Sequence, residues 1–403
     1  MQFSRGERVN NKALSCLLYF LTSSLFLLSS GSAVAELSRL PLMPAPPQLA
    51  ASSYLLVDAE SGKVIVEYNA DQTLPPASLT KIMSSYIVSG ELAKGSIKED
   101  DHVPVSVKAW KMGGSRMFIR EGTEVELMDL LRGIIIQSGN DATVALAEYI
   151  AGDETAFADM MNQQAQLLGM KHSHFKNATG WPAEGHMSTA RDMSILARAL
   201  IRDFPEHYSL YAEKEFSYNN ITQSNRNGLL WRDQNVDGIK TGHTDEAGFC
   251  LVASAKRNDM RLVSVVMGAK SMRGREQETQ KLLAYGFRYY ETHALYEGGE
   301  EISAARVWAG KDKSFSLVLN DPLTITIPRG RKTDLKASVE IDREIIAPIE
   351  QGQVYGSLIV KLDDTLLERR DLIAAASVEQ AGLFSRLWDQ LVLFVRGILG
   401  LAS

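Results

Sequence analysis

The chain has 403 residues, 45% of them hydrophobic and 23% charged, with a formal net charge of −6. That length and apolar content suffice for two or three domains with cores of their own and exclude a disordered chain. An acidic balance with no large basic block argues against a nucleic-acid partner. Residues 1–35 read as an export signal: Arg5, Arg8 and Lys12 precede an apolar segment at 13–30, and Ala33-Val34-Ala35 forms an A-x-A cleavage site. An uncleaved N-terminal anchor is the alternative. Cys16 falls inside that segment, so Cys250 is the one cysteine of the mature chain, and no disulfide framework is expected. Cys250 lies in an apolar run and reads as buried and inert.

Residues 40–47 are a proline-rich, extended lead-in. Runs rich in β-formers at 53–57 and 63–68 flank Asp58-Ala59-Glu60-Ser61-Gly62 and predict a hairpin. Pro75-Pro76 then stops the chain, and apolar residues at helical spacing begin at Ser78, which predicts a helix N-terminus there. Lys81 follows three residues on, one turn away on the same face. A hydroxyl and an amine that close, at the positive end of a helix dipole, are the parts of a nucleophile and its base. Alone, an S-x-x-K is more often a cap followed by a solvated lysine, and Ser173-His174-Phe175-Lys176 fits the same pattern.

Residues 96–235 are mostly helical by pattern. Helices predicted at 125–137 and 141–150 leave Ser138-Gly139-Asn140 in a tight turn, residues 110–119 form a surface loop, and a helix at 190–203 is closed by Pro205. Strands return at 236–243, 249–255 and 261–267, the last two as a hairpin, before a closing amphipathic helix at 277–290. Strands at both ends with helices between them predict an antiparallel sheet carrying a helical subdomain, an α/β (α+β) domain.

Composition shifts after Tyr296-Glu297-Gly298-Gly299. Short β-rich runs at 315–319, 323–327, 337–341, 354–362 and 366–373 predict a small antiparallel β-sandwich without visible chemistry. At 383–399 the apolar residues Leu383, Phe384, Leu387, Trp388, Leu391, Val392 and Val395 recur at helical spacing opposite Ser385, Arg386, Asp389 and Gln390. The longest apolar run there, 391–395, is too short to cross a bilayer, but the helix can lie in the interface with Trp388 among the headgroups. Docking on the protein's own core is the alternative. The expected organisation is a signal peptide at 1–35, a catalytic domain at 36–297, a β-rich domain at 298–377 and an amphipathic anchor helix at 378–403.

Three short motifs follow one another: Ser78-Leu79-Thr80-Lys81, Ser138-Gly139-Asn140 and Lys240-Thr241-Gly242. Their order, with Ser78 opening a helix, Ser138 in a turn and Lys240 on a strand, resembles the active-site set of penicillin-binding proteins and β-lactamases. Ser173 is excluded because it comes after the S-G-N element that should follow the nucleophile. The types fit the chemistry. Lys81 can take the serine proton only as a neutral amine, and burial with Lys240 nearby as a second cation pushes its pKa down. Ser138 and Asn140 can relay a proton and bind a substrate amide.

With the longer stretches at 76–81, 132–142 and 236–244, the chain resembles the low-molecular-mass penicillin-binding proteins that are D-alanyl-D-alanine carboxypeptidases, peptidase family S11, over nearly its whole mature length. The resemblance implies a penicilloyl-serine transferase/β-lactamase-like fold and removal of the terminal D-alanine from peptidoglycan stem peptides, with β-lactams as covalent inhibitors. It implies Ser78 as the acylated residue, Lys81 as general base and Ser138 as proton-transfer partner. Asn140 would contact the substrate, while Lys240, Thr241, Gly242, His243 and Arg275 would hold it by its terminal carboxylate and by the backbone of this strand. The N–H groups of Ser78 and His243 would form the oxyanion hole. No cofactor or metal is expected: the other histidines form no H-E-x-x-H set. A location on the periplasmic face of the bacterial inner membrane is implied, and a homodimer is compatible with it. Two alternatives stay open: a β-lactamase of the same fold, although no E-x-x-L-N element lies between Ser138 and Lys240, and a non-catalytic penicillin-binding sensor or scaffold.

Overall fold

The computed structural model describes residues 43–341 and 344–398, so the expected signal peptide at 1–35, with Cys16, lies outside the described residues. Strands β1 (Ser53–Asp58) and β2 (Val64–Tyr68) form the expected hairpin. Asp58 shapes its turn, accepting at Oδ1 from the Ser61 N–H and hydroxyl at 2.8 and 2.9 Å. A short 3-10 turn (Ala77–Thr80) leads into helix α1 (Lys81–Ala93).

The middle of the chain is helical as expected, with two additions. Strands β3 (His102–Pro104) and β4 (Glu124–Glu126) pair across the predicted loop, and β5 (Glu215–Tyr218) and β6 (Ile221–Ser224) form a second ribbon. These runs are only three or four residues long, too short for alternation to stand out in the sequence. The predicted helix at 125–137 is therefore β4, then α2 (Leu127–Arg132), then a π-turn (Gly133–Gln137). Helices α3 (Asn140–Ala151), α4 (Glu154–Leu168) and α5 (Ala190–Asp203) complete the subdomain. Asp153 and Thr189 cap the last two by accepting backbone N–H bonds, each worth about 1 kcal/mol.

Strands β7 (Val236–Thr244), β8 (Gly248–Arg257) and β9 (Met260–Ala269) join the hairpin in one antiparallel sheet of order β2-β1-β9-β8-β7. Both faces of its central strands are covered. On β1, Leu55 and Val57 pack under the helical subdomain while Tyr54 and Leu56 pack on the other face with Leu282, Leu283 and Phe287. The latter belong to α6 (Met272–Tyr289), which starts earlier than predicted because the Ser271 hydroxyl caps it, accepting from the Gly274 N–H at 2.9 Å.

The β-rich region begins before the expected boundary at 298. Strand β10 (Tyr290–Tyr296) continues directly from α6 and pairs with β13 (Leu323–Pro328). The other strands, β11 (Glu301–Arg306), β12 (Ser314–Val318), β14 (Leu335–Ile341), β15 (Val354–Leu362) and β16 (Thr365–Ala374), form a sheet of order β11-β12-β16-β15-β14 around a third core. Hydroxyls join the two regions: Thr292 donates to Asp58 at 2.7 Å, and Ser61 meets Thr326 at 2.6 Å.

Helix α7 (Leu383–Ile398) closes the described chain with its polar side inward. Asp389 is buried and accepts from the Ala309 N–H at 2.8 Å and from Lys313 at 3.2 Å. Phe384, Trp388 and Phe394 are 88, 66 and 67% exposed. Docking of the apolar face on the protein's own core is thereby corrected: that face points away from the domain.

Candidate active site

The 3-10 turn explains why the S-x-x-K spacing brings the two groups together. Residues i and i+3 eclipse in such a turn, so Ser78 at its second position and Lys81 just past its end stack side by side. Lys81 Nζ lies 3.2 Å from Ser78 Oγ. The lysine is fully buried, and its nitrogen also lies 2.7 Å from Asn140 Oδ1 and 2.6 Å from the Thr179 carbonyl. Burial, with help from the Arg226 charge and against Asp141 and Glu154, lowers the amine to about 7.

Burial is expected to lower the Lys81 amine with a second cation, Lys240, nearby, and both lysines are buried and repel one another. Desolvation dominates at Lys81, and Arg226 is the cation that adds to it. Lys240 is itself pushed well below its ordinary value, by burial first and then by the charges of Lys81, Arg226 and Arg275. Two buried ammonium groups this close disfavour one another's charge, and burial lowers both.

Ser138 ends the π-turn in the left-handed region, with φ +66°, which a non-glycine residue reaches only when its surroundings demand it. Its hydroxyl is buried and has no hydrogen-bond partner among the described residues. Asn140 opens α3 and spends its side chain internally, with Oδ1 on Lys81 and Nδ2 donating to the Gly113 carbonyl at 2.8 Å. Next to it, Asp141 accepts from the N–H groups of Met117 and Phe118 at 3.0 and 2.8 Å, which fastens the 110–119 loop over the site.

Strand β7 supplies the opposite wall. At Gly242 a Cβ would stand 3.0 Å from the Pro76 carbonyl oxygen, so a side chain there would crowd the strand against the serine turn. Thr241, Gly242 and His243 line a cleft of about 500 Å³ together with Ser78, Ser138, Arg226 and Arg275. Arg275 is buried in the first turn of α6 and donates to the Gly242 carbonyl at 3.1 Å. Its Nε has no partner, and no carboxylate pairs with it among the described residues. The guanidinium thus keeps an unpaired donor beside the cleft, with the charge of Glu276 close by. The neighbouring Glu276 pairs with Arg232 instead.

All the residues predicted for the site thus surround one cleft or are buried against it. Ser173, which shares the S-x-x-K spacing, is occupied elsewhere: its hydroxyl donates to Asp192 at 2.7 Å and meets Ser188 at 2.8 Å. Sequence reasoning missed Arg226, which carries no motif, and the carbonyls of Thr179 and Gly113, which no side chain announces. Cys250 is buried, and burial raises its thiol to about 11.

An antiparallel sheet with a helical subdomain, a serine and a lysine stacked in one turn and an unpaired buried hydroxyl at the same cleft define a penicillin-binding serine enzyme of mixed α/β fold, followed by a β-rich domain. Residues 41–271 match the family described as D-alanyl-D-alanine carboxypeptidase, peptidase S11, and residues 290–380 match the C-terminal domain of penicillin-binding protein 5. The chain is 44% identical over 366 residues to D-alanyl-D-alanine carboxypeptidase DacA of Escherichia coli, covering 89% of this chain and 91% of that protein. It superposes on penicillin-binding protein 5 of Haemophilus influenzae with a TM-score of 0.81 at 44% identity, over 84% of this chain and all of that one. Penicillin-binding protein D2 of Listeria monocytogenes, solved in its ampicillin-bound form, gives a TM-score of 0.56 at 29% identity over 60% of this chain and 100% of that one. The chain belongs to the D-alanyl-D-alanine carboxypeptidase family, peptidase S11, and is a serine-type hydrolase.

Proposed function

We propose that Ser78 is the nucleophile and Lys81 the general base of a D-Ala-D-Ala carboxypeptidase acting on peptidoglycan stem peptides. The observation that carries this reading is the Lys81 amine, near pKa 7 and 3.2 Å from Ser78 Oγ. A neutral amine has two N–H donors and one lone pair. With the donors on Asn140 Oδ1 and the Thr179 carbonyl, the lone pair is left for the Ser78 hydroxyl. Ser78 then attacks the carbonyl of the penultimate D-alanine while its proton passes to Lys81. The backbone N–H groups of Ser78 and His243 hold the oxyanion. Ser138, whose hydroxyl is uncommitted, carries the proton to the departing D-alanine amine, and water then releases the acyl group. A β-lactam carbonyl would acylate the same oxygen. The reading is tested by assaying the purified protein for free D-alanine from a peptide ending in D-Ala-D-Ala; no release overturns it.

In this reading Arg275, with Lys240, Thr241 and His243, receives the terminal carboxylate. Arg275→Gln lowers kcat/KM by about 10- to 100-fold, the range for losing a hydrogen bond to a charged group. The loss should vanish on a substrate whose C-terminus is an amide. An equal loss on both substrates would mean that Arg275 only supports the fold.

The enzyme is exported and rests on the outer face of the inner membrane through the apolar side of α7. This is supported by the exposed Phe384, Trp388 and Phe394 and by the inward Asp389. No described helix is long and apolar enough to cross a membrane. Deleting residues 379–403 releases the protein from sedimented membranes with D-alanine release intact. Continued sedimentation would assign the attachment to residues 1–35 instead.

A further inference from the structure

The segment at 173–188 packs on the serine turn and on the first turns of α1. The Thr179 carbonyl receives Lys81, the Ala178 carbonyl accepts from the Ser84 hydroxyl at 2.6 Å, and Gly180 packs directly on the turn. A Cβ at Gly180, where φ is +80°, would stand 1.8 Å from the Ala77 carbonyl oxygen and 2.8 Å from Thr80 Oγ1. Within the segment, Asn177 Oδ1 accepts from the N–H groups of Gly180 and Trp181 at 2.8 and 3.1 Å, which sets the local turn. One side chain ties this segment to the serine turn by a hydrogen bond to another side chain. His186, 3% exposed, has Nε2 2.8 Å from Thr80 Oγ1.

The tautomer of that ring follows from its other nitrogen. The Lys176 N–H donates to His186 Nδ1 at 3.1 Å, so Nδ1 carries no proton. A neutral ring then has its proton on Nε2 and donates to the Thr80 hydroxyl. Burial, with the charges of His174 and Lys81, lowers the ring to about 4, so it stays neutral where the enzyme works. Thr80 is itself fully buried and directly precedes Lys81.

We propose that His186 is a positioning residue for acylation: its bond to Thr80 fixes the 173–188 segment on the serine turn and so holds the Thr179 carbonyl against the Lys81 amine. Without that carbonyl as a fixed acceptor, the amine can rotate its lone pair away from Ser78. The inference rests on Lys81 being the base.

The test measures the acylation rate of a fluorescent penicillin, together with KM and kcat for D-alanine release, in His186→Ala, His186→Gln, Thr80→Val and Ser78→Ala. His186→Ala should lower acylation and kcat by about 10-fold or more with KM changed less than about twofold, since misplacing a catalytic group costs rate rather than binding. His186→Gln, whose amide can both donate and accept, should recover most of the loss. Thr80→Val should match His186→Ala, and the double variant should lose no more than either alone. Wild-type acylation in His186→Ala, no rescue by Gln, or losses that multiply would each overturn the proposal. Should His186→Ala fail to fold, Thr80→Val decides, and unchanged acylation there overturns it. Acylation that persists in Ser78→Ala would instead sink the underlying reading of the site.

Discussion

Ser78→Ala loses covalent labelling by penicillin completely and loses D-alanine release by about 10⁴-fold or more. The magnitude follows from the geometry. Lys81 is a base only with respect to Ser78, 3.2 Å away, and no other free hydroxyl stands at that distance from it among its hydrogen-bond neighbours. Ser138 has a free hydroxyl, but Lys81 makes no hydrogen bond to it. Binding through Arg275 and the strand backbone survives in the variant, so KM or the Kd for a peptide should change little. The measurement is intact mass after incubation with penicillin, beside the release assay. An adduct of normal stoichiometry in Ser78→Ala would remove Ser78 from the mechanism.

Acylation by wild-type enzyme falls about tenfold per pH unit below a midpoint near 7, because only the neutral Lys81 amine accepts the proton. The sign is fixed by the cause. Burial lowers the pKa, so the base form persists to a lower pH than an exposed lysine allows. Arg226 pushes the same way, and Arg226→Gln, by removing a positive charge, should move the midpoint upward. Lys81→Arg, which cannot be neutral, should lose acylation at every pH by about 10³-fold or more. Single-turnover acylation across pH 5–9 checks all three, and a flat wild-type profile would assign the proton transfer to another group.

Much of this arrangement was visible in the chain before any fold was considered. The order of Ser78, Ser138 and Lys240 separated Ser78 from Ser173, and the three-residue helical spacing of Ser78 and Lys81 placed a hydroxyl and an amine on one face. The helix at 190–203 and the strands from 236 to 267 were equally plain, since long periodic runs carry their own signal. The small ribbons β3–β4 and β5–β6 were hidden because three or four residues cannot show a period. The start of the β-rich region was hidden because Tyr290–Tyr296 owes its strand to Leu323–Pro328, a partner well removed along the chain.

By itself the sequence determined which residue types could perform the reaction and in what order they had to come, because motif spacing follows from local helix and turn geometry. The tertiary structure alone decided which neighbour tunes which group. The Arg226 charge adds to burial in lowering Lys81, Asn140 turns inward to Gly113, and His186 reaches Thr80 across 106 positions of chain. Those contacts depend on carbonyls, burial and long-range charge, which belong to no motif and exist only once the sheet, the helices and the 173–188 segment have closed around the serine turn.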